Sequence, residues 1–442
     1  MFETPSNDAA PTAVVKLPGQ PIINDEDREK VLKKVRQLLG WKHQSFPGSQ
    51  PVSFTRNDLS MVLRTDYVVC EKTDGVRALL LAASGAIYLI GRNDEVHHLS
   101  MRLPVRGNAT ESQQLTLLDG EIVLDNVEIN GTETMRPRYM CYDGIFVQRR
   151  SLMDLNFLER LSIVYTDVIL PYQRSLKTVS CTKSHNKHEA ASNTSQLPSI
   201  EGGVAMDSSM LPPVEIFLKD FFDISQILHI EEFAKGLPHI SDGLIFTPVR
   251  LPYLPGTCPK LLKWKPPHLN TVDFSVDVIY DETRCPRLVE LFVMLKGTRV
   301  FYNEYLAPYG EVYKYILDMA IHSKVTQLIV ECSWIADSRV WTFVPKVRSK
   351  SSIDKLAGNT MNDGKVDYDF QNGTWIQGGW YAERIRDDKK LPNSLAVVDS
   401  VKTSIEDDIT FEMLLHEFNL FTKNGKIPVY SKCIMPKEYE AV

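Results

Sequence analysis

Apolar residues recur at two different periods along this chain, and the changes of period divide it. Between Asn24 and Leu39, the residues Val31, Leu32, Val35, Leu38 and Leu39 stand at three- and four-residue spacing among charges, which predicts an amphipathic helix with its stripe on a core. Two prolines and a glycine in 46–54 predict a loop that feeds a short extended piece, and 58–63 reads as a helix start. From Tyr67 to Phe146 the pattern shortens. Apolar runs at 67–70, 78–83, 87–90, 115–118, 121–124 and 139–146 are separated by turn residues, as in an antiparallel-rich sheet system. Helical spacing returns at 152–170 and 218–233, and strand signals at 243–246 and 261–264.

After Pro266-Pro267 the strand-like runs 272–279, 289–295, 325–331 and 380–385, with one helical stretch at 311–321, suit a small barrel of the OB type. Residues 344–374, with mixed charge, Gly and Asn, read as a loop inside that barrel. The segment 395–421 is apolar at helical spacing. Between 173 and 213 Ser, Thr, Asn, His and Gly dominate, so a flexible insertion is expected there. The expected organisation is a flexible leader (1–24), a first domain (25–270) carrying the insertion, an OB-type domain (271–394) with lid-like insertions, and a C-terminal helical segment (395–442). The fold class is α+β. No internal repeat or coiled-coil heptad is present.

Composition narrows this picture. At 442 residues the chain exceeds one typical core, and 43% hydrophobic with 24% charged residues is the balance of a water-soluble globular protein. No apolar run approaches the ~18 residues that span a bilayer, so no membrane association is expected. Seven scattered cysteines without zinc-ligand spacing fit reduced thiols, and no structural zinc is expected. The net charge of -6 argues against a surface that wraps nucleic acid, while leaving room for a local basic cleft.

Candidate chemistry centres on Glu71-Lys72-Thr73-Asp74-Gly75-Val76-Arg77. Lys-x-Asp-Gly offers a nucleophilic amine, a carboxylate that can orient it or a metal, and a glycine that phosphate can approach closely. The same tetrapeptide can also be a solvated hairpin tip. Six clusters follow in order, each with its own plain reading. Gly91-Arg92-Asn93 puts a cation at a turn, or only a solvated charge. Asp119-Gly120-Glu121 places two carboxylates at a strand end, or a tight turn, and Tyr142-Asp143 lies in an apolar strand where Tyr142 is otherwise a core aromatic. Ser241-Asp242-Gly243 opens a strand with a carboxylate. In Leu262-Lys263-Trp264-Lys265-Pro266 period two sends both lysines to one face, a phosphate-facing one or a solvated one. Finally, Arg384-Ile385-Arg386-Asp387-Asp388-Lys389 brings Arg384, Arg386 and Lys389 toward a common partner.

This ordered set resembles the lysine-dependent nucleotidyltransferases, and its wording is similar to the mRNA capping guanylyltransferases of fungal type (alpha subunits). Phe46-Pro47-Gly48-Ser49-Gln50-Pro51-Val52-Ser53 looks like their N-terminal signature. The resemblance implies that the first domain is an antiparallel-rich nucleotidyltransferase domain followed by an OB-fold domain. It implies two steps: Lys72 attacks the α-phosphorus of GTP and releases pyrophosphate, and the GMP then passes to the 5′-diphosphate end of nascent mRNA. By the same match Lys263 and Lys265 serve the α-phosphate, and Arg384 and Lys389, with Asp387 beside them, serve the β- and γ-phosphates when the second domain closes. Arg77, Arg92 and Glu121 contact the ribose and its surroundings, and Tyr142 stacks on guanine where the family often has Phe. Asp242 approaches Mg2+ or Mn2+, with Glu121 or Asp74 as weaker candidates. No His-Cys-x5-Arg run precedes residue 46, so an RNA triphosphatase (beta) subunit is expected as a separate polypeptide. The phosphorylated C-terminal domain of RNA polymerase II is expected as a partner, and the nucleus as the location. An ATP-dependent polynucleotide ligase and a non-catalytic scaffold that binds polymerase or RNA are the competing readings.

Overall fold

A computed structural model describes residues 15–129, 131–176, 212–347, 368–387 and 389–423, which form two units: 15–264 with 412–423, and 265–411. The expected insertion therefore lies outside the described residues from 177 to 211.

The first unit holds two sheets. In one, Gln20–Pro21, Val96–Leu99, Ala86–Gly91, Val76–Ala83, Thr116–Ile129, Thr132–Val147 and Arg150–Ser151 are neighbours in that order, all antiparallel, with Glu215–Leu218 added parallel to Thr132–Val147. In the other, Phe222–Asp223, Tyr67–Thr73, Ser241–Pro248, Thr257–Trp264 and Gln50–Ser53 follow one another, the last pair parallel. The turn Asp74-Gly75 is where the chain leaves the second sheet for the first. Side chains of both sheets share a core: Val68 and Cys70 pack with Leu80, Leu118, Ile122 and Tyr139, and the helix Phe157–Val164 adds Phe157, Leu161 and Val164. Asn156 caps that helix with a reciprocal Glu159 bond, which satisfies two otherwise orphaned amides. Its run to 170 continues as a π-turn at Tyr165–Ile169. Phe418, from the helix Phe411–Lys423, sets its ring 6.0 Å from Phe246.

Several expectations change. The leader is packed well before residue 24: Leu17 is buried and Gln20–Pro21 pairs with Val96–Leu99, an approach Gly19 permits at φ +94° because a Cβ would meet the His98 carbonyl. The helix expected over 218–233 is confined to Ile227–Lys235. Ahead of it, Ile216 and Leu218 alternate into the core as a strand, because the exposed edge of Thr132–Val147 offers a ladder that a helix cannot use. Asp119 and Glu121 do not flank a tight turn but lie inside the 14-residue strand Thr116–Ile129.

In the second unit, five antiparallel strands run in the order Thr298–Tyr305, Pro286–Leu295, Thr271–Tyr280, Leu328–Ile335, Gly379–Ile385, with the helix Gly310–His322 between the third and fourth in sequence. A parallel bridge between Leu306 and Trp380, with the Ala307 N–H donating to the Trp380 carbonyl at 2.8 Å, joins the outer strands and closes the OB-type barrel. Phe274 and Trp380 fill it, 4.9 Å apart edge to face. Part of the loop expected at 344–374 is instead a ribbon, Trp341–Val347 paired with Tyr368–Gln377; 348–367 lie outside the described residues. The helix Leu395–Asp407 packs within this unit, against Thr271–Tyr280 and Pro286–Leu295.

Candidate active site

Lys72 stands near the end of its strand, and its Nζ donates to Asp242 Oδ1 at 2.6 Å, two residues that are 170 apart in sequence. Both side chains are about four-fifths buried. They meet because Ser241–Pro248 lies beside Tyr67–Thr73 in the same sheet. Lys72 also opens onto a cleft between the two sheets of this unit, whose polar wall includes Arg77, Arg92, Asp119, Glu121, Tyr142 and Lys219, while Ile245, Pro248, Leu251 and Leu261 make part of its apolar wall.

The glycine of Lys-x-Asp-Gly has a packing reason. A Cβ on Gly75 would fall on the Ile122 carbonyl oxygen and within 2.9 Å of Glu121 Cγ. Backbone oxygen cannot give way as a side-chain end can, so Gly75→Ala is expected to cost about 1–3 kcal/mol and to push the strand bearing Glu121 away from the turn. A urea titration checks this: an unchanged midpoint is incompatible with the close approach.

Asp119 gathers the deepest part of the wall. Its carboxylate accepts Arg77 Nε at 3.1 Å and Nη2 at 2.6 Å, the Tyr142 hydroxyl at 2.9 Å and the Tyr253 hydroxyl at 2.6 Å. Arg77 is further enclosed by the Phe46 and Tyr142 rings, 5.3 and 5.7 Å from its guanidinium carbon. The Ser49 N–H donates to the Tyr253 hydroxyl at 3.0 Å, which ties the 46–53 segment to the same carboxylate. The geometry makes Arg77 a buried cation of the cleft wall, paired with Asp119; the resemblance implied a ribose contact for it. Tyr142, expected as a stacking surface, lines the cleft and is also pinned through its hydroxyl, a bond that a phenylalanine lacks.

Glu121 faces the cleft beside Lys219. Burial pushes its carboxyl up from the ordinary range, against the pull of Lys219, Lys72, Arg92 and Arg77. Lys219 was not among the expected residues. It is buried, its Nζ lies 3.0 Å from Glu71 Oε1, and it also donates to Thr73 Oγ1. Burial draws its pKa down, but Glu71, Cys70 and Glu121 together outweigh that and leave it raised. The available signal was a single cation between Leu218 and Phe221-Phe222, where an apolar residue fits the pattern. Tyr253 was missed as well, because nothing in Leu251-Pro252-Tyr253-Leu254 distinguishes a loop phenol from a wall of the cleft.

Next to Lys219, Asp220 has its pKa raised to about 6 by burial first and Glu71 second, with Lys219 opposing. A carboxyl whose folded pKa exceeds its unfolded one destabilises the fold when ionised. The penalty is absent below the ordinary value of 3.8, grows as pH rises through about 6, and is complete above it. Asp220→Asn is therefore expected to be stabilising by about 2–3 kcal/mol at pH 8 and near neutral at pH 4, as thermal melts across that range would read.

Asp74 is exposed, and its backbone N–H donates to the Ile240 carbonyl at 2.9 Å. Lys263 is half-buried on Thr257–Trp264, opposite Ile245. Lys265, Arg384, Asp387 and Lys389 belong to the second unit. There Arg384 Nε donates to Glu331 at 2.6 Å, Arg386 bridges Glu331 and Asp273 at 3.2 and 3.1 Å, and Lys389 also pairs with Asp273. The common partner expected from the alternation is this pair of carboxylates. Burial raises Glu331, but the Thr271 hydroxyl and Arg384 outweigh it and hold it below the ordinary range. Asp387 is exposed, and Asp388 lies outside the described residues.

Among the described residues, no group of three His, Cys, Asp or Glu side chains is placed to hold a metal ion. No helix among them is long and apolar enough to cross a membrane.

The model of the mRNA capping enzyme catalytic domain matches residues 12–194 and 204–267, and that of the capping enzyme C-terminal domain matches 365–415. The chain is 29% identical over 342 residues to the mRNA-capping enzyme of Caenorhabditis elegans, covering 75% of this chain and 49% of that protein. To mRNA-capping enzyme subunit alpha of Neurospora crassa it is 28% identical over 406 residues, covering 89% and 90%. To the Schizosaccharomyces pombe subunit alpha it is 27% identical over 437 residues, covering 95% and 91%. The chain thus spans about half the length of the nematode protein and about nine-tenths of the two fungal ones.

Proposed function

Since the chain belongs to the mRNA capping enzyme family, we propose that it is an mRNA guanylyltransferase that carries GMP on Lys72. The observation that carries this reading is the Lys72 amine at the rim of a cleft, held 2.6 Å from a carboxylate that arrives from the other end of the domain.

In the first step the Lys72 Nζ lone pair forms the N–P bond to the α-phosphorus of GTP. The bond from that phosphorus to the bridging oxygen breaks, pyrophosphate leaves with the electron pair, and the ammonium proton must be given up beforehand. In the second step the terminal oxygen of a 5′-diphosphate RNA attacks the same phosphorus and the lysine leaves, taking a proton. Charge grows on the transferring group and on pyrophosphate, so fixed cations are what the protein can contribute. Lys263 and Lys265 serve the α-phosphate in this reading, Arg384 and Lys389 the outer phosphates, and Arg92 and Glu121 the ribose side. Tyr142 offers its ring to guanine. Arg77, held by Asp119, joins Arg92 and Glu121 on that side of the cleft.

Asp242 and Glu121 would be the oxygen donors for a divalent cation. A pair suits Mg2+ or Mn2+, which keep water and phosphate in most positions, better than it suits a closed protein cage. Such an ion, when bound, supplies positive charge against the phosphates. The subunit name of the two fungal relatives supports a second polypeptide as partner, with the triphosphatase that prepares the 5′-diphosphate end as its activity. Docking on the phosphorylated polymerase II tail and a nuclear location belong to the same reading.

The test is incubation of the purified chain with α-labelled GTP and, separately, ATP, in Mg2+ or Mn2+, followed by denaturation. Covalent GMP that pyrophosphate returns to free GTP is the expected result. Covalent AMP would make the chain a ligase-type enzyme, and no label from either nucleotide would leave a scaffold.

A further inference from the structure

We propose that His239 is a positioning residue for nucleotidyl transfer: held by Asp125, it fixes the segment that delivers Asp242 to Lys72. This rests on the reading of Lys72 as the nucleophile.

The register between Ser241–Pro248 and Tyr67–Thr73 shifts at the start of the pairing. Ser241 pairs with Thr73 and Leu244 with Glu71, three steps on one strand against two on the other. The extra residue falls at Asp242-Gly243, and a bulge of this kind re-aims side chains at the expense of ladder bonds. Asp242 reaches Lys72 from this bulge. With its own ladder interrupted, the position of the bulge depends on what holds the chain just before it. Two contacts do so. The Asp74 N–H donates to the Ile240 carbonyl at 2.9 Å, and the His239 Nδ1 lies 2.9 Å from Asp125 Oδ1.

The second contact is anchored deeply. Asp125 is buried on Thr116–Ile129, the strand that carries Glu121 to the cleft. Its other oxygen accepts Arg138 Nη1 at 2.7 Å, and Arg138 Nε continues to Glu215 at 3.0 Å, so the carboxylate cannot swing. His239 is itself buried, and its Nε2 has no hydrogen-bond partner among the described residues. A buried polar atom left unmet costs free energy, and an aliphatic side chain would fill the space without that cost. What the imidazole alone supplies is the bond to Asp125.

The test compares His239→Leu, His239→Asn and His239→Gln in single-turnover formation of covalent nucleotide from α-labelled GTP, with a thermal melt of each. An asparagine amide sits near the Nδ1 position, whereas a glutamine amide reaches toward the Nε2 position. In His239→Leu the rate constant is expected to fall about 10–100-fold while half-saturating GTP moves less than ~3-fold, the mark of a misplaced reacting group. His239→Asn should recover most of the rate and His239→Gln should not, at similar melting midpoints. A leucine variant at the wild-type rate overturns the inference, as do Asn and Gln variants equally slow with midpoints lowered in step. Wild type labelled by ATP and not GTP overturns the guanylyl reading alone, since the same three variants are then compared on AMP. A wild type labelled by neither overturns both.

Discussion

Lys72→Ala is expected to abolish covalent GMP, with a loss on the order of 10⁴-fold or more, the scale reached when the nucleophile of a covalent mechanism is removed. Lys72→Arg should be equally inactive, because a guanidinium stays protonated and offers no lone pair. The folded state should change little. The Lys72 side chain is 22% exposed and gives up one ion pair, so both variants should melt within a few degrees of the parent. The result carries information only with that control: label lost at an unchanged melt assigns the chemistry to the amine. Label that persists in Lys72→Ala would move the covalent attachment to another residue and remove the basis for the two-step scheme.

The second large effect lies in the cleft wall. Asp119→Ala would leave the Arg77 guanidinium, 6% exposed, without its counterion, and the Tyr142 and Tyr253 hydroxyls without their acceptor. Removing one partner of a buried pair costs about 3–5 kcal/mol because the remaining charge is stranded. For a chain of 442 residues that corresponds to a fall in melting midpoint of roughly 3–5 °C. The double variant Asp119→Ala with Arg77→Met should be more stable than Asp119→Ala alone, since the stranded charge is gone. Additive losses in the double variant, or an Asp119→Ala midpoint equal to the parent, would contradict the network.

What could be read in the sequence follows from how local each signal is. Helix 25–38 was legible because its stripe and its Asn24 cap lie within one segment. The same holds for the barrel strands after Pro266-Pro267, where period two and turn residues carry the pattern. The segment 218–233 misled because Leu218, Phe221 and Phe222 have an apolar spacing that suits either period. The deciding partner, the edge of Thr132–Val147, lies some 80 residues earlier. In the candidate site, Lys72 and Asp242 each stand in a recognisable motif. The pairing of Arg77 with Asp119 is a contact across strands, and no spacing along the chain encodes it. Lys219 and Tyr253 are single residues without a motif, and only the folded sheets bring them to the cleft.

The separation of Lys72 from Asp242 also sets a clock. A ribosome adding ~5–20 residues per second needs roughly 9–34 s to pass from one to the other. Until it has done so, Tyr67–Thr73 lacks the neighbour that later covers one of its edges, and Gln50–Ser53 waits longer still for Thr257–Trp264. The first quarter of the chain therefore emerges as strands with open edges, the state in which unpaired backbone invites wrong partners. Yield during synthesis, more than stability once folded, is where this topology should make the protein dependent on chaperones.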